Sequence, residues 1–142
     1  MSKRDLVSFI SAALVVLVAL VVGLYPLGRT PGECDINREG NCTEAGITFY
    51  IEPRPVAPMK DIVFRVKVDD PSLVPANTDL ALHLTMSEMD MGVNRFRLKH
   101  IGKGTYSGKG VIPRCPSGKK LWRATILDIS ARQLAVFLFE VE

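Results

Sequence analysis

The feature that most constrains this chain is the alternation of apolar and polar residues after Gly46. In "ITFYIE", Ile47, Phe49 and Ile51 share one face; in "IVFRVKV", Ile62, Phe64, Val66 and Val68 do, with Arg65 and Lys67 opposite. "LALHLTM" turns Leu80, Leu82, Leu84 and Met86 inward, and "RFRLKHI" turns Phe96 and Leu98 inward with Arg95, Arg97 and Lys99 outward. "TYSGKGVI", "LWRATIL" and "LAVFLFEV" complete seven such segments, separated by Pro, Gly, Asp and Asn turns. Successive side chains of a strand point to opposite faces, so a period of two predicts half-buried strands. Seven short strands in roughly 95 residues predict an all-β, immunoglobulin-like seven-stranded sandwich over residues 47–142. "EPRPVAPM", with its three prolines, is expected to cross between sheets or to lie on an edge.

The amino-terminal part obeys a different rule. "LVSFISAALVVLVALVVGL", Leu6 to Leu24, is 19 residues without a charge. At about 1.5 Å per residue such a helix spans nearly 30 Å, the thickness of a bilayer core. Lys3 and Arg4 precede it, which holds the amino terminus in the cytoplasm and the remainder outside. The run is longer than a signal-peptide core, and "VVGLYPLG" offers no small-x-small cleavage pattern. One amino-terminal transmembrane helix over residues 1–24 is therefore expected. It makes the membrane a partner and gives a single-pass inner-membrane protein with its domain on the periplasmic or otherwise extracytoplasmic side. Residues 25–46, "YPLGRTPGECDINREGNCTEAG", show no apolar period and read as a linker.

Charge and cysteine usage narrow the function. The chain carries +3, of which Lys3, Arg4 and Asp5 supply a net +1, leaving +2 for the rest. That is too mild for a nucleic-acid binder, and no nucleic-acid motif is present. Three cysteines leave one over if two pair in an oxidising compartment. Cys34 and Cys42 lie close together and would close a small loop, with Cys115 as the spare thiol. No enzyme is expected: there are two histidines and no G-x-S-x-G, H-E-x-x-H or phosphate-loop pattern.

The methionines of "TMSEMDMGVNRF" invite two readings. Met86 continues the inward face of its strand and reads as core, where methionine commonly fills gaps. Met89 and Met91 fall beyond the strand, among Ser, Glu, Asp and Gly, and read equally as turn residues or as soft ligands. Thioethers and thiolates select Cu(I). His83 lies on the polar face of its strand, and His100, at the end of the next strand, reads as an imidazole ligand or as an ordinary strand-end residue. Trp122 alternates with Ala124 and Ile126 and belongs to the core.

The chain resembles the YtkA-like and FixH-like families of membrane-anchored extracytoplasmic proteins. The resemblance rests on the apolar run, "EPRPVAPMKDIVFRVKV", "MSEMDMGVNRFRLKHIGKGTYSG" and "GKKLWRATI". It covers residues from about 47 to 141, with Met89-Asp90-Met91-Gly92 as its most specific element. It implies an immunoglobulin-like fold and a link to copper delivery or respiratory oxidase assembly. The chain is also similar to small proteins that pair M-D-M-G-x-N-R with a later cysteine, here Cys115 in "IPRCPSG". The resulting expectation is a Cu(I)-binding protein or metallochaperone with a respiratory oxidase or copper-transport partner. Met89 and Met91 would be thioether ligands, Cys115 the thiolate and His100 a candidate fourth. Two strand reversals separate the methionine turn from Cys115, so both are expected at one end of the sandwich. The alternative from another class is an accessory subunit that docks on a membrane complex without metal.

Overall fold

A computed structural model describes residues 32–86, Met89 and residues 92–142. The anchor expected over residues 1–24 lies outside them. Among the described residues no helix is long and apolar enough to cross a membrane.

Those residues form an all-β, nearly closed sandwich. The seven strands predicted by alternation are all present: β3 (Ile47–Glu52), β4 (Asp61–Val68), β5 (Leu80–Met86), β6 (Arg95–Gly102), β7 (Thr105–Val111), β8 (Leu121–Leu127) and β9 (Gln133–Glu140). The linker reading of residues 25–46 does not hold for residues 32–46. They carry strand β1 (Gly32–Glu33), a one-turn helix α1 (Ile36–Glu39) and strand β2 (Asn41–Glu44), and Ile36 and Cys42 are buried in the core.

The strands hydrogen-bond in the order β1-β9-β8-β5-β6-β7-β4-β3-β2, antiparallel throughout except for the parallel pair β1–β9. Strand β6 makes the fold two-layered. Its first half pairs with β5 (Leu82↔Phe96, Leu80↔Leu98), and its second half pairs with β7 (Lys99↔Ser107, His100↔Tyr106). One strand thus leaves one sheet and enters the other, and the two sheets face each other across a shared core. Phe49 of β3 stacks on Phe137 of β9 at 5.4 Å and lies 6.2 Å from Phe139, joining the sheets. Aromatic pairs at this spacing add about 0.5–1.5 kcal/mol each beyond their buried area. Trp122 and Met86, opposite each other on β8 and β5, are buried in this core as expected.

The two outermost strands, β1 and β2, are the free edges of the order. The Cys34–Cys42 disulfide expected from their proximity is present, with Cα atoms 5.9 Å apart. It fastens one sheet edge to the other. Asn37 of α1 strengthens the seam, donating to the Glu140 carbonyl at 3.1 Å and accepting from the Val56 N–H at 2.7 Å. Unpaired strand edges invite association with other chains, and this seam covers them.

Candidate functional site

The register fixes which loops share an end. Asp61 pairs with Val111, Met86 with Trp122, and Leu121 with Glu140. The β3–β4 loop, the β5–β6 turn, the β7–β8 loop and the carboxyl terminus therefore emerge together. The β5–β6 turn carries Met89, and the β7–β8 loop carries Cys115. Backbone bonds tie these segments: Met59 N–H donates to the Ile112 carbonyl at 2.9 Å, Val141 N–H to Lys120 at 2.9 Å, and Glu142 N–H to Val56 at 2.8 Å.

Cys115 is the free cysteine, and it is buried. Its Sγ lies 3.0 Å from the Ser117 hydroxyl. That hydroxyl stabilises the thiolate and holds the Cys115 thiol below its ordinary value, although burial pulls the other way. The turn is closed by Gly118 N–H donating to the Cys115 carbonyl at 3.1 Å. Beside Cys115 lies a cavity of about 480 Å³, lined also by Trp122, Lys60, Arg114, Lys119 and Lys120, with Glu142 at its edge.

Met89 is exposed at 38 %. Met91 lies outside the described residues. Among the described residues no three His, Cys, Asp or Glu side chains gather into a metal-holding group. The sulfur donors at this end are the Cys115 thiol and the Met89 thioether, with the Glu142 carboxylate and the Ser117 hydroxyl beside the thiol loop; soft sulfur suits Cu(I) better than harder cations.

His100 is not part of this end. It stands five residues beyond Arg95 on β6, about 16 Å along the strand. Its N–H donates to Asp79 Oδ1 at 3.1 Å and its ring lies 5.1 Å from that of Tyr106. The strand that leaves the methionine turn carries His100 to the opposite end, so its expected role as a fourth ligand is withdrawn. His83 points outward from mid-sheet, opposite Arg95 on one side and Thr125 on the other.

One sulfur was missed by the sequence reading. Met59 sits at this same end with 65 % of its surface exposed, between Pro58 and Lys60, both of which line the Cys115 cavity. Its backbone is left-handed, with φ at 59°, a region that non-glycine residues seldom occupy. The proline-rich context of "EPRPVAPM" hid it, because only the β3–β4 fold-back shows where that loop ends. Val93 and Val111 add exposed apolar surface, at 86 % and 37 %. In comparisons with known proteins, no family model, curated protein or solved structure matches the chain.

Proposed function

We propose that the chain is a membrane-anchored, extracytoplasmic immunoglobulin-like domain, related to the YtkA-like and FixH-like families. In this reading it binds Cu(I) and passes it to a partner during respiratory oxidase maturation. The strand order supports the fold: β3-β4-β7-β6 facing β5-β8-β9 corresponds to the A-B-E-D and C-F-G sheets of a constant-type immunoglobulin sandwich. The observation that carries this reading is that the Met89 turn and the Cys115 loop emerge at the same end of the sandwich. Met89, Met91 and Cys115 are the proposed ligands. Ligation by thioethers suits a carrier, because the ion has to leave as well as enter. The protein acts as a binding module and not as an enzyme.

The test is competition for Cu(I) between a chromogenic chelator and the full chain, kept anaerobic, in its natural form and as Cys115→Ser. The natural chain should withdraw one equivalent of Cu(I), and the variant should bind at least about a hundredfold more weakly, by loss of its only anionic sulfur. Equal binding by both would refute the site.

A second reading is a docking subunit without metal. The exposed Met59, Val93 and Val111 at the same end favour it, since adaptable methionine-rich surfaces are used for protein contact. A natural chain that takes no Cu(I) from the chelator would establish this reading over the first.

A further inference from the structure

The four cations that line the cavity beside Cys115 come from two loops that the fold holds together. Lys60 belongs to the β3–β4 loop, and Arg114, Lys119 and Lys120 belong to the β7–β8 loop. Met59 N–H donates to the Ile112 carbonyl and Val141 N–H to the Lys120 carbonyl, each at 2.9 Å, so both loops are tied to one corner of the sandwich. Pro58 and Pro113 stiffen the segments beside Lys60 and Arg114. Bringing like charges together is electrostatically unfavourable, and Glu142 is the one acidic side chain in the lining. Arg65, Lys67, Arg97 and Arg132 each lie within 3.7 Å of a carboxylate. Among the described residues, Lys60, Arg114 and Lys120 have no ion pair of that kind. The rest of the wall is largely apolar, with Pro58, Pro113, Trp122 and Val141. The volume, about 480 Å³, falls in the range of small-molecule sites, which combine an apolar wall with a few charged groups that fix orientation.

A cationic rim on an apolar wall selects a ligand that has both complements. We propose that this cavity binds a small organic dianion, an apolar or aromatic body that carries two carboxylates or one phosphate. The anionic oxygens lie against Lys60, Arg114 and Lys120, with Arg114 offering a planar fork to two of them and the lysines compact point charges. The body covers Trp122 and the prolines and keeps water from the charged contacts, which strengthens them. A single negative charge answers too little of the rim, and a bare inorganic anion leaves the apolar wall uncovered. The bound charge offsets the mutual repulsion of the cations, and clefts lined by one sign of charge draw in the opposite sign. The site uses charge and shape and no metal, so it stands independently of the copper reading.

Trp122 is the one tryptophan of the chain, so its indole N–H gives a single nuclear magnetic resonance signal at the cavity wall. The metal-free full chain, in a neutral detergent, is titrated with phthalate, with phenyl phosphate and with the uncharged dimethyl phthalate, at about pH 8, where the first two are dianions. Both dianions should shift the indole signal saturably below about 10 mM, and dimethyl phthalate should bind at least about tenfold more weakly than phthalate. Lys60→Glu with Lys120→Glu should weaken both dianions by about tenfold or more, and Lys60→Gln with Lys120→Gln by less. Lys99→Glu with Lys103→Glu makes the same change in net charge at the other end and should leave affinity within about twofold. Tighter phthalate assigns a dicarboxylate, and tighter phenyl phosphate a phosphate ester. If the Lys60 and Lys120 Glu pair moves the indole signal before any ligand is added, the Gln pair decides. No saturable shift with the natural chain, an equal loss in both Glu pairs, or equal binding of dimethyl phthalate overturns the proposal. None of these outcomes touches the chelator competition for Cu(I), which tests the copper reading separately.

Discussion

The two ends of the sandwich use their loops differently. At the His100 end, polar groups are spent on the fold. Asp128 accepts from Ser130 N–H at 2.8 Å and from Arg132 N–H and Nε at 2.9 Å, and Arg132 reaches on to the Leu73 carbonyl at 2.9 Å. Asp70 caps its 3-10 turn through Ser72 N–H, and Asp79 serves both His100 N–H and the Arg97 guanidinium. At the Cys115 end the loops instead present Met59, Met89, Val93 and a group of cations to the outside. The His100 end also exposes Ile101 and Ile129, at 61 % and 71 %, so the ends differ in their side-chain hydrogen bonding and in the sulfur and cations of their loops. Variants at the first end should therefore change stability and spare binding, and variants at the second should do the reverse.

The largest expected effect on stability comes from the seam between β1 and β2. Cys34→Ser with Cys42→Ser removes the cross-link between β1 and β2 and should lower unfolding stability by roughly 2–3 kcal/mol, as chain entropy predicts for a short loop. Urea unfolding followed by Trp122 fluorescence measures it. A loss well under 1 kcal/mol would mean that β1 and β2 are held by packing alone.

Next comes Gly104, in the β6–β7 turn of the His100 end. Its φ is +67°, and an added Cβ would meet the Val68 carbonyl oxygen at 2.6 Å. Gly104→Ala should therefore cost about 1–2 kcal/mol with Cu(I) affinity unchanged. A change in copper affinity of the same size would join the two ends energetically and break the contrast.

A smaller effect is expected at Asp128. Its carboxyl is held below the ordinary carboxylate value, first by Arg132 N–H, against the opposing pull of burial. Folding thus favours the ionised form. The stabilisation is fully present above the unfolded value of about 3.9 and is lost as pH falls through the lower folded value. Asp128→Asn should lower the melting temperature at neutral pH and flatten the acid side of the stability curve. A melting curve unchanged between the two proteins at pH 7 would contradict this.

The smallest effect sharpens the comparison most. His100→Gln should leave Cu(I) affinity within about twofold of the natural chain, because β6 carries the residue away from the sulfur end. A tenfold loss would restore His100 to the site.

What could be read from the sequence follows from physical range. The seven long strands declare themselves because each repeats its pattern over six to eight residues. Strands β1 and β2 do not, because two and four residues are too few for a period. The split pairing of β6 is invisible as well, since Phe96 and Leu98 alternate alike whichever sheet they join. The shared end of the Met89 turn and Cys115 follows from counting strand reversals. The same count, carried along β6, excludes His100. Met59 and the cation rim needed coordinates, because Lys60 and Lys120 come from loops far apart in sequence and meet only through the sheet-to-sheet fold.

Copper X-ray absorption on the Cu(I)-loaded full chain tests the sulfur site most directly. The expected spectrum has sulfur scatterers at about 2.3 Å and no imidazole pattern, and Met89→Leu with Met91→Leu, which preserves size and apolarity, should reduce the sulfur count while the fold survives. A nitrogen-dominated shell, or a spectrum identical in that double variant, would contradict it.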